Sequence, residues 1–400
     1  MRALAAKRGR PALGQALAAL DAARLRRERL TVAAFAPGPQ RVLLTGDGRA
    51  LIDFSSNDYL GLARHPSLAQ AMAACAAASG AGSGAAHLVS GHGNEHARLE
   101  EELAAFTHRE RALLFSTGYM ANLAVLGALT GRGEHLLLDR LSHASLIDGA
   151  RLSGARLQRY PHADATAAER LARPDTALIA TDGLFSMDGD LAPLAALSRI
   201  AAARGAWLVV DDAHGIGVLG AGGGGTLEHF GLDAQAVPVL VGTLGKAFGS
   251  FGAFVAGDAD LIEYLLQRAR SYIYTTALPQ PVAAASRAAL TLIREEPWRR
   301  ERLAAHVERF RALCGEAGVP LSASHSPIQP VILGSAAAAL AAQRALAAAG
   351  LWVAAIRPPT VPSGSARLRV TLAATHTHAQ LQALVEQLSL ACARAREAPP

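Results

Sequence analysis

The chain has 400 residues, enough to bury a large core, and its 51% hydrophobic content with only 5% aromatic residues is carried by alanine, which points to long packed helices. No stretch approaches the ~18–20 uninterrupted apolar residues of a membrane span, and the net charge of +6 comes from arginines scattered without an aromatic-interleaved basic stripe. Neither a membrane nor a nucleic-acid partner is therefore expected. Three cysteines, Cys75, Cys314 and Cys392, are too few and too far apart for a disulfide framework or a cysteine metal site, and they fit a reducing cytoplasm.

The first thirty residues are basic and alanine-rich, but Asp21 and Glu28 interrupt them, so they read as an amphipathic helix rather than a targeting peptide. From about residue 110 short apolar runs alternate with alanine-rich helical stretches: RALLFS before YMANLAVLGAL, HLLLD before ASLIDGARL, ALIATDG before PLAALSRIAAA, then WLVVDDA, VPVLVG and GAFVAG. That alternation predicts an α/β domain with a mostly parallel sheet flanked by helices, whose ligands bind beyond the carboxyl ends of the strands. GAGGGG at 220–225 reads as a flexible surface turn. Beyond about residue 285, long helices with the strands IQPVILG, LWVAAIR and ARLRVTL predict a smaller α+β domain, and REAPP reads as a frayed end. The expected organisation is an N-terminal helix and arm over 1–50, a large domain over 51–285 and a small domain over 286–400.

Several polar residues fall at or just after the ends of predicted strands. Ser186, Asp211, His214 and Lys246 all do so, and Lys246 is conspicuous because Lys7 is the only other lysine among 39 basic residues. Arginine cannot supply a neutral nucleophilic amine, whereas a desolvated lysine can. A phosphate-binding GxxxxGK[ST] loop is excluded at this lysine, since Leu240 occupies the first glycine position and Ala247 the hydroxyl position. HGNEH at 92–96 matches an HxxEH zinc spacing through His92, Glu95 and His96, but Gly91 and Gly93 place His92 at or before a helix start and no third ligand is identifiable. A zinc hydrolase is thus the remote reading, and no metal is expected. HTH at 376–378 reads as an exposed helix start.

A strand-end carboxylate with a lysine further along suggests pyridoxal phosphate, whose ring nitrogen wants an acidic partner and whose aldehyde wants an amine. Thr243 is close enough to Lys246 to share the phosphate, Gly118 opens a helix whose free N–H groups can face an anion, Tyr119 can cover the ring, and His143 offers an aromatic face.

SSNDYLGL, GHGNEH, LLFSTGYMAN, DRLSHAS, TDGLFSMDGD, VVDDAHGIGVLG, TLGKAFG, YIYTTALP and IRPPTVPSGSARLRVTL occur in this order. Together they resemble the α-oxoamine synthase family of fold type I pyridoxal-phosphate transferases over roughly residues 20–385. The resemblance implies that Lys246 bonds the cofactor aldehyde, Asp211 pairs with the ring nitrogen, His214 and Ser186 contact the ring oxygen, and His143 stacks on the ring. It implies that Gly118, Tyr119 and Thr243 serve the cofactor, and that Thr276 reaches the phosphate across a homodimer interface. Arg27, with Arg26 and Arg29 as alternative registers, is implied to lie near the acyl group, Thr360 to contact substrate, and Asn57 and Arg369 to orient the amino-acid carboxylate. The IRPP segment is similar to the branch that joins L-alanine to a pimeloyl thioester, on coenzyme A or an acyl carrier protein, with a sister enzyme using glycine and another acyl thioester as the alternative. Asp182 departs from the glutamate of several relatives.

Overall fold

The computed structural model describes residues 12–38 and 41–397, with side chains through 394. The beginning of the expected N-terminal helix, residues 1–11, and the last three residues of REAPP lie outside the described residues. The described part of that helix spans Leu13–Ala22, and none of its residues is buried.

Three sheets organise the described residues. The N-terminal strands β1 (Val32–Phe35), β2 (Val42–Thr45) and β3 (Ala50–Asp53) form an antiparallel meander. The large sheet contains β4 (Arg111–Phe115), β5 (His135–Asp139), β6 (Arg156–Tyr160), β7 (Thr176–Asp182), β8 (Trp207–Asp211), β9 (Val239–Thr243) and β10 (Ala253–Gly257), in the order β4-β10-β9-β8-β7-β5-β6. Strands β9, β8, β7, β5 and β6 pair in parallel, and β10 runs against both its neighbours. The sheet is therefore mostly parallel, as the βα alternation predicts. Further strands follow: β11 (Ile328–Gly334), β12 (Leu351–Trp352), β13 (Ala354–Ile356) and β14 (Ala366–Thr371), of which β11, β14 and β13 make an antiparallel sheet.

Side-chain alternation assigns the central strands to two cores. Leu136, Leu138, Val209 and Val241 pack on one face with Val125 and Tyr272, while Leu137, Leu208, Val210 and Leu240 pack on the other with Leu197 and Phe185. Burial on both faces explains why these strands read as continuous apolar runs. A third cluster joins Leu62, Leu99 and Phe248 to Leu290, Phe310, Leu368 and Leu384, so the apolar core runs on without a break into the C-terminal sheet.

Three features differ from the sequence reading. LWVAAIR is two strands in two sheets: Leu351 and Trp352 pair in parallel with Ile52 and Asp53, and Ala354 begins a separate pairing with β14. GAGGGG is packed rather than loose, because the Glu228 carboxylate accepts hydrogen bonds from Gly222 N (2.7 Å) and Gly224 N (2.6 Å), and Gly223 and Gly225 are buried. At Gly225 φ is +88° and a Cβ would overlap the Asp212 carboxylate, so only glycine fits. His376 is buried: its Nδ1 accepts from Ala373 N at 3.0 Å and its Nε2 donates to Asp53 O at 3.1 Å, tying the start of the last helix to β3.

Candidate active site

The carboxyl ends of the parallel strands converge on one lysine. Asp182 ends β7, Asp211 ends β8, Thr243 ends β9, and Lys246 follows in the turn after β9. Lys246 Nζ lies 3.0 Å from His214 Nε2, and His214 Nδ1 lies 2.6 Å from the Tyr59 hydroxyl. Burial lowers the Lys246 amine from 10.5 to about 8, against the pull of Asp211 and with help from Arg369. Burial, Lys246 and Arg369 hold His214 well below the usual imidazole value, so it is neutral and carries a single ring proton. The lysine, histidine and tyrosine can then exchange donor and acceptor roles together. An ammonium at Lys246 requires Nε2 to accept and Nδ1–H to donate to Tyr59, and a neutral amine allows the reverse.

A second hydrogen-bonded chain starts at Asp211. Its Oδ2 accepts from Asn122 Nδ2 at 2.6 Å, and its Oδ1 accepts from Ala213 N at 3.1 Å. Asn122 Nδ2 also donates to Ser145 Oγ at 2.8 Å, and Ser145 Oγ lies 2.7 Å from His143 Nδ1. His143 caps the helix Ala144–Ser153, and its backbone N–H donates to Asp182 Oδ2 at 2.9 Å. Burial lowers the His143 imidazole, opposed by Asp211, while burial and the nearby Asp211 charge push the Asp182 carboxyl well up. Asp182 thus anchors the loop that presents His143.

Other predicted residues gather around these chains. Arg369 on β14 donates through Nε to Ser186 O at 2.6 Å and through Nη1 to Asn57 Oδ1 at 3.0 Å. Gly118 opens the helix Gly118–Leu129, capped by Thr117, so its first amides have no intrahelical acceptor. Tyr119 hydrogen-bonds Asp148 and stands edge-on to His143 with ring centroids 6.4 Å apart. The Thr243 hydroxyl donates to Gly252 O at 3.0 Å and accepts from Gly245 N at 3.2 Å, so contact with another group requires it to rotate away from Gly252. The glycines near Lys246 serve packing: at Gly249, φ +63°, a Cβ would run into the backbone of Leu62 and Ala63. Thr276 is exposed and pairs with Ala86 in an isolated bridge rather than with any of these groups.

Arg27 and Thr360, separated by 333 residues, are hydrogen-bonded at 3.1 Å from Arg27 Nη2 to Thr360 Oγ1. They line a cleft of about 880 Å³ with Arg24, Arg26, Arg29 and Arg357. Arg357 fixes the N-terminal arm by donating to the carbonyls of Arg24 and of Arg26, the latter at 3.3 Å. Ala354, which also lines this cleft, is the β-sheet partner of Arg369. The cleft and the lysine site therefore share a strand pair.

The hydrolase reading of HxxEH fails at its acid/base residue: Glu95 is turned to Arg287 at 2.8 Å. Tyr59, Asn122 and Ser145 are hydrogen-bonded to His214, Asp211 and His143, and the sequence reading did not single them out, although SSNDYLGL, STGYMAN and SHAS contain them.

The family model for aminotransferase class I and II matches residues 49–388. The chain is 59% identical to 8-amino-7-oxononanoate synthase of Methylococcus capsulatus over 354 residues, covering 88% of this chain and 92% of that protein. It is 56% identical to 8-amino-7-oxononanoate synthase of Cellvibrio japonicus over 379 residues, covering 94% and 95%. The chain belongs to the 8-amino-7-oxononanoate synthase family. Among solved structures, 8-amino-7-oxononanoate synthase of Francisella tularensis superposes with a TM-score of 0.77 at 34% identity, over 86% of this chain and 99% of that one. A lysine-to-alanine variant of a serine palmitoyltransferase from S. paucimobilis with a bound PLP–myriocin aldimine gives 0.88 at 29% identity, over 96% and 98%.

This family member is a pyridoxal-phosphate-dependent acyltransferase. Its residues fit that cofactor on two grounds. Asn122 Oδ1 is buried with no hydrogen-bond partner beside Asp211. Among the described residues, the buried Asp211 carboxylate and the Lys246 amine form no ion pair with each other, leaving one group for a ring cation and one for an aldehyde.

Proposed function

We propose that the enzyme condenses L-alanine with a pimeloyl thioester to give 8-amino-7-oxononanoate, releasing carbon dioxide and the carrier thiol, as a step of biotin biosynthesis. The observation that carries this reading is the 3.0 Å contact between a lysine amine lowered to about 8 and a neutral histidine, inside a family of this name.

When bound, pyridoxal phosphate supplies an electron sink for a carbanion at the amino-acid Cα. Lys246 would hold its aldehyde, Asp211 its ring nitrogen, and His214 and Ser186 its ring oxygen. Asn122 orients the Asp211 carboxylate, and the neutral His143 ring, fixed by Ser145 and Asp182, would supply an aromatic face for the cofactor ring. The amides of Gly118 and Tyr119, with the hydroxyl of Thr243, would receive the phosphate, and a second copy of the chain would add Thr276 at a dimer interface.

The chain's own groups then divide the work. Arg369, set by Asn57, binds and orients the alanine carboxylate that is later lost. Lys246 Nζ, once free, takes the Cα proton, because a pKa near 8 leaves a useful fraction of neutral amine. His214 and Tyr59 adjust their shared protons to each charge state of that amine. Arg27 and Thr360 position the acyl chain within the arginine-lined cleft, whose charge suits either the phosphates of coenzyme A or an acidic carrier protein. Steady-state thiol release measured with alanine or glycine, and with pimeloyl groups on both carriers, tests the reading: alanine dependence supports it and glycine dependence contradicts it.

A further inference from the structure

His87, His92 and His96 meet at the turn between residue 86 and the helix Asn94–Phe106. One ring nitrogen from each lies within 4.8 Å of one from each of the others. The Nδ1 atoms of His87 and His92 are 3.0 Å apart, and the three ring centroids form a triangle with sides of 5.0, 5.2 and 5.4 Å. None of these residues has a part in the cofactor chemistry proposed above.

We propose that His87, His92 and His96 bind a divalent transition-metal ion of the zinc class through one nitrogen each, with water completing the tetrahedron.

The geometry is close to what such an ion requires. Zinc–nitrogen bonds of about 2.0–2.1 Å in a tetrahedron separate the ligand nitrogens by about 3.4 Å, a spacing between the 3.0 Å of the His87–His92 pair and the 4.8 Å that bounds the cluster. Each ring is already oriented by a second contact. His87 stacks on Tyr272 at 5.0 Å and 9°, His92 Nε2 faces Glu100 at 3.8 Å, and His96 Nε2 donates to the Leu278 carbonyl. A carboxylate and a carbonyl behind ligating imidazoles are the partners that fix tautomer and raise ligand basicity. Burial lowers all three rings below the usual value, which leaves them neutral, the form that ligates.

Two adjustments accompany binding. The proton shared between the His87 and His92 Nδ1 atoms moves to the Nε2 of the ring that carries it, with no net proton released. His96 Nδ1 exchanges its hydrogen bond from Gly93 N for the metal, and that half-buried N–H turns to water. The ion would clip the turn at residues 87–91 to the helix start and to the 276–278 segment, where Ala277 N donates to Ala85 O and Thr276 bridges Ala86.

The test is metal content of the holoenzyme after incubation with zinc and exhaustive dialysis, together with the visible d–d absorption of a cobalt-loaded sample. The expected result is about one ion per chain, a tetrahedral cobalt spectrum, and loss of both in His92→Asn and His87→Phe with cofactor content unchanged. His87→Phe keeps the ring stack on Tyr272, and if it does not fold, the partly exposed His92→Asn decides alone. Wild-type protein without zinc, or variants that keep it, would overturn the proposal.

Discussion

Lys246 Nζ lies 3.0 Å from His214 Nε2, and through that ring it is coupled to the Tyr59 hydroxyl. The relation places the one lysine among the described residues against a ring in which burial and the neighbouring cations disfavour a second positive charge. A protonated histidine there would lower the amine further but would leave it no acceptor. The neutral ring instead accommodates both charge states of the amine.

Because burial lowers the Lys246 amine from 10.5 to about 8, the free base appears above about pH 8 rather than above pH 10. Capture of pyridoxal phosphate by apoenzyme, followed by absorbance, is expected to accelerate as pH rises and to level off above an apparent pKa near 8. A profile still climbing at pH 10 would show an ordinary lysine.

Asn122→Ala removes the side-chain donor to Asp211. A hydrogen bond to a charged group contributes about 1.5–3 kcal/mol, so cofactor affinity is expected to fall roughly 10- to 100-fold. Asn122→Asp, which adds a like charge beside Asp211, should be worse still. Equilibrium titration of apoenzyme with cofactor measures both, and unchanged affinity in the alanine variant would remove Asn122 from the site.

At Asp182 the sign of the pH effect can be worked out. Its folded pKa is raised by burial and by Asp211, so ionisation favours the unfolded chain, and stability is lost as pH rises from the unfolded value of 3.8 through the folded one. Asp182→Asn keeps an acceptor for His143 N and removes that loss, so its melting temperature at pH 7–8 should equal or exceed the wild type's. Asp182→Ala leaves the His143 N–H unsatisfied and should lose about 1–3 kcal/mol. Thermal unfolding across pH distinguishes the three proteins, and a less stable asparagine variant at pH 8 would count against the assignment.

The Arg27–Thr360 hydrogen bond predicts a split effect. Arg27→Ala should raise KM for the acyl thioester about 10-fold or more while leaving KM for the amino acid nearly unchanged, since the residue lines the cleft and not the lysine site. Thr360→Val should give a smaller effect that does not add to the first. Equal changes in both KM values would place Arg27 elsewhere.

Much of the candidate site was legible because the chain marks it locally. Asp211 and Thr243 end apolar runs, and Lys246 stands out in an arginine-rich chain. What escaped depends on contacts between distant segments. Tyr59 meets His214 across 155 positions, and Asn122 meets Asp211 across 89, and neither residue type signals chemistry by itself. LWVAAIR looks like one strand because its period is continuous, but residues 351–352 follow β3 while residues 354–356 follow β14. The glycine run at 220–225 looks loose because sequence does not show that Glu228 and Asp212 fill the space a Cβ would need.

The most direct test of the proposed reaction supplies alanine labelled with 13C in its carboxyl group together with a pimeloyl thioester, and follows both carbon dioxide and product by mass spectrometry. The account predicts label in the carbon dioxide, one thiol released per product, unlabelled 8-amino-7-oxononanoate, and a rate reduced at least about 100-fold in Lys246→Arg, which keeps the charge but supplies no neutral amine. Label retained in the product, or full turnover by Lys246→Arg, would contradict it.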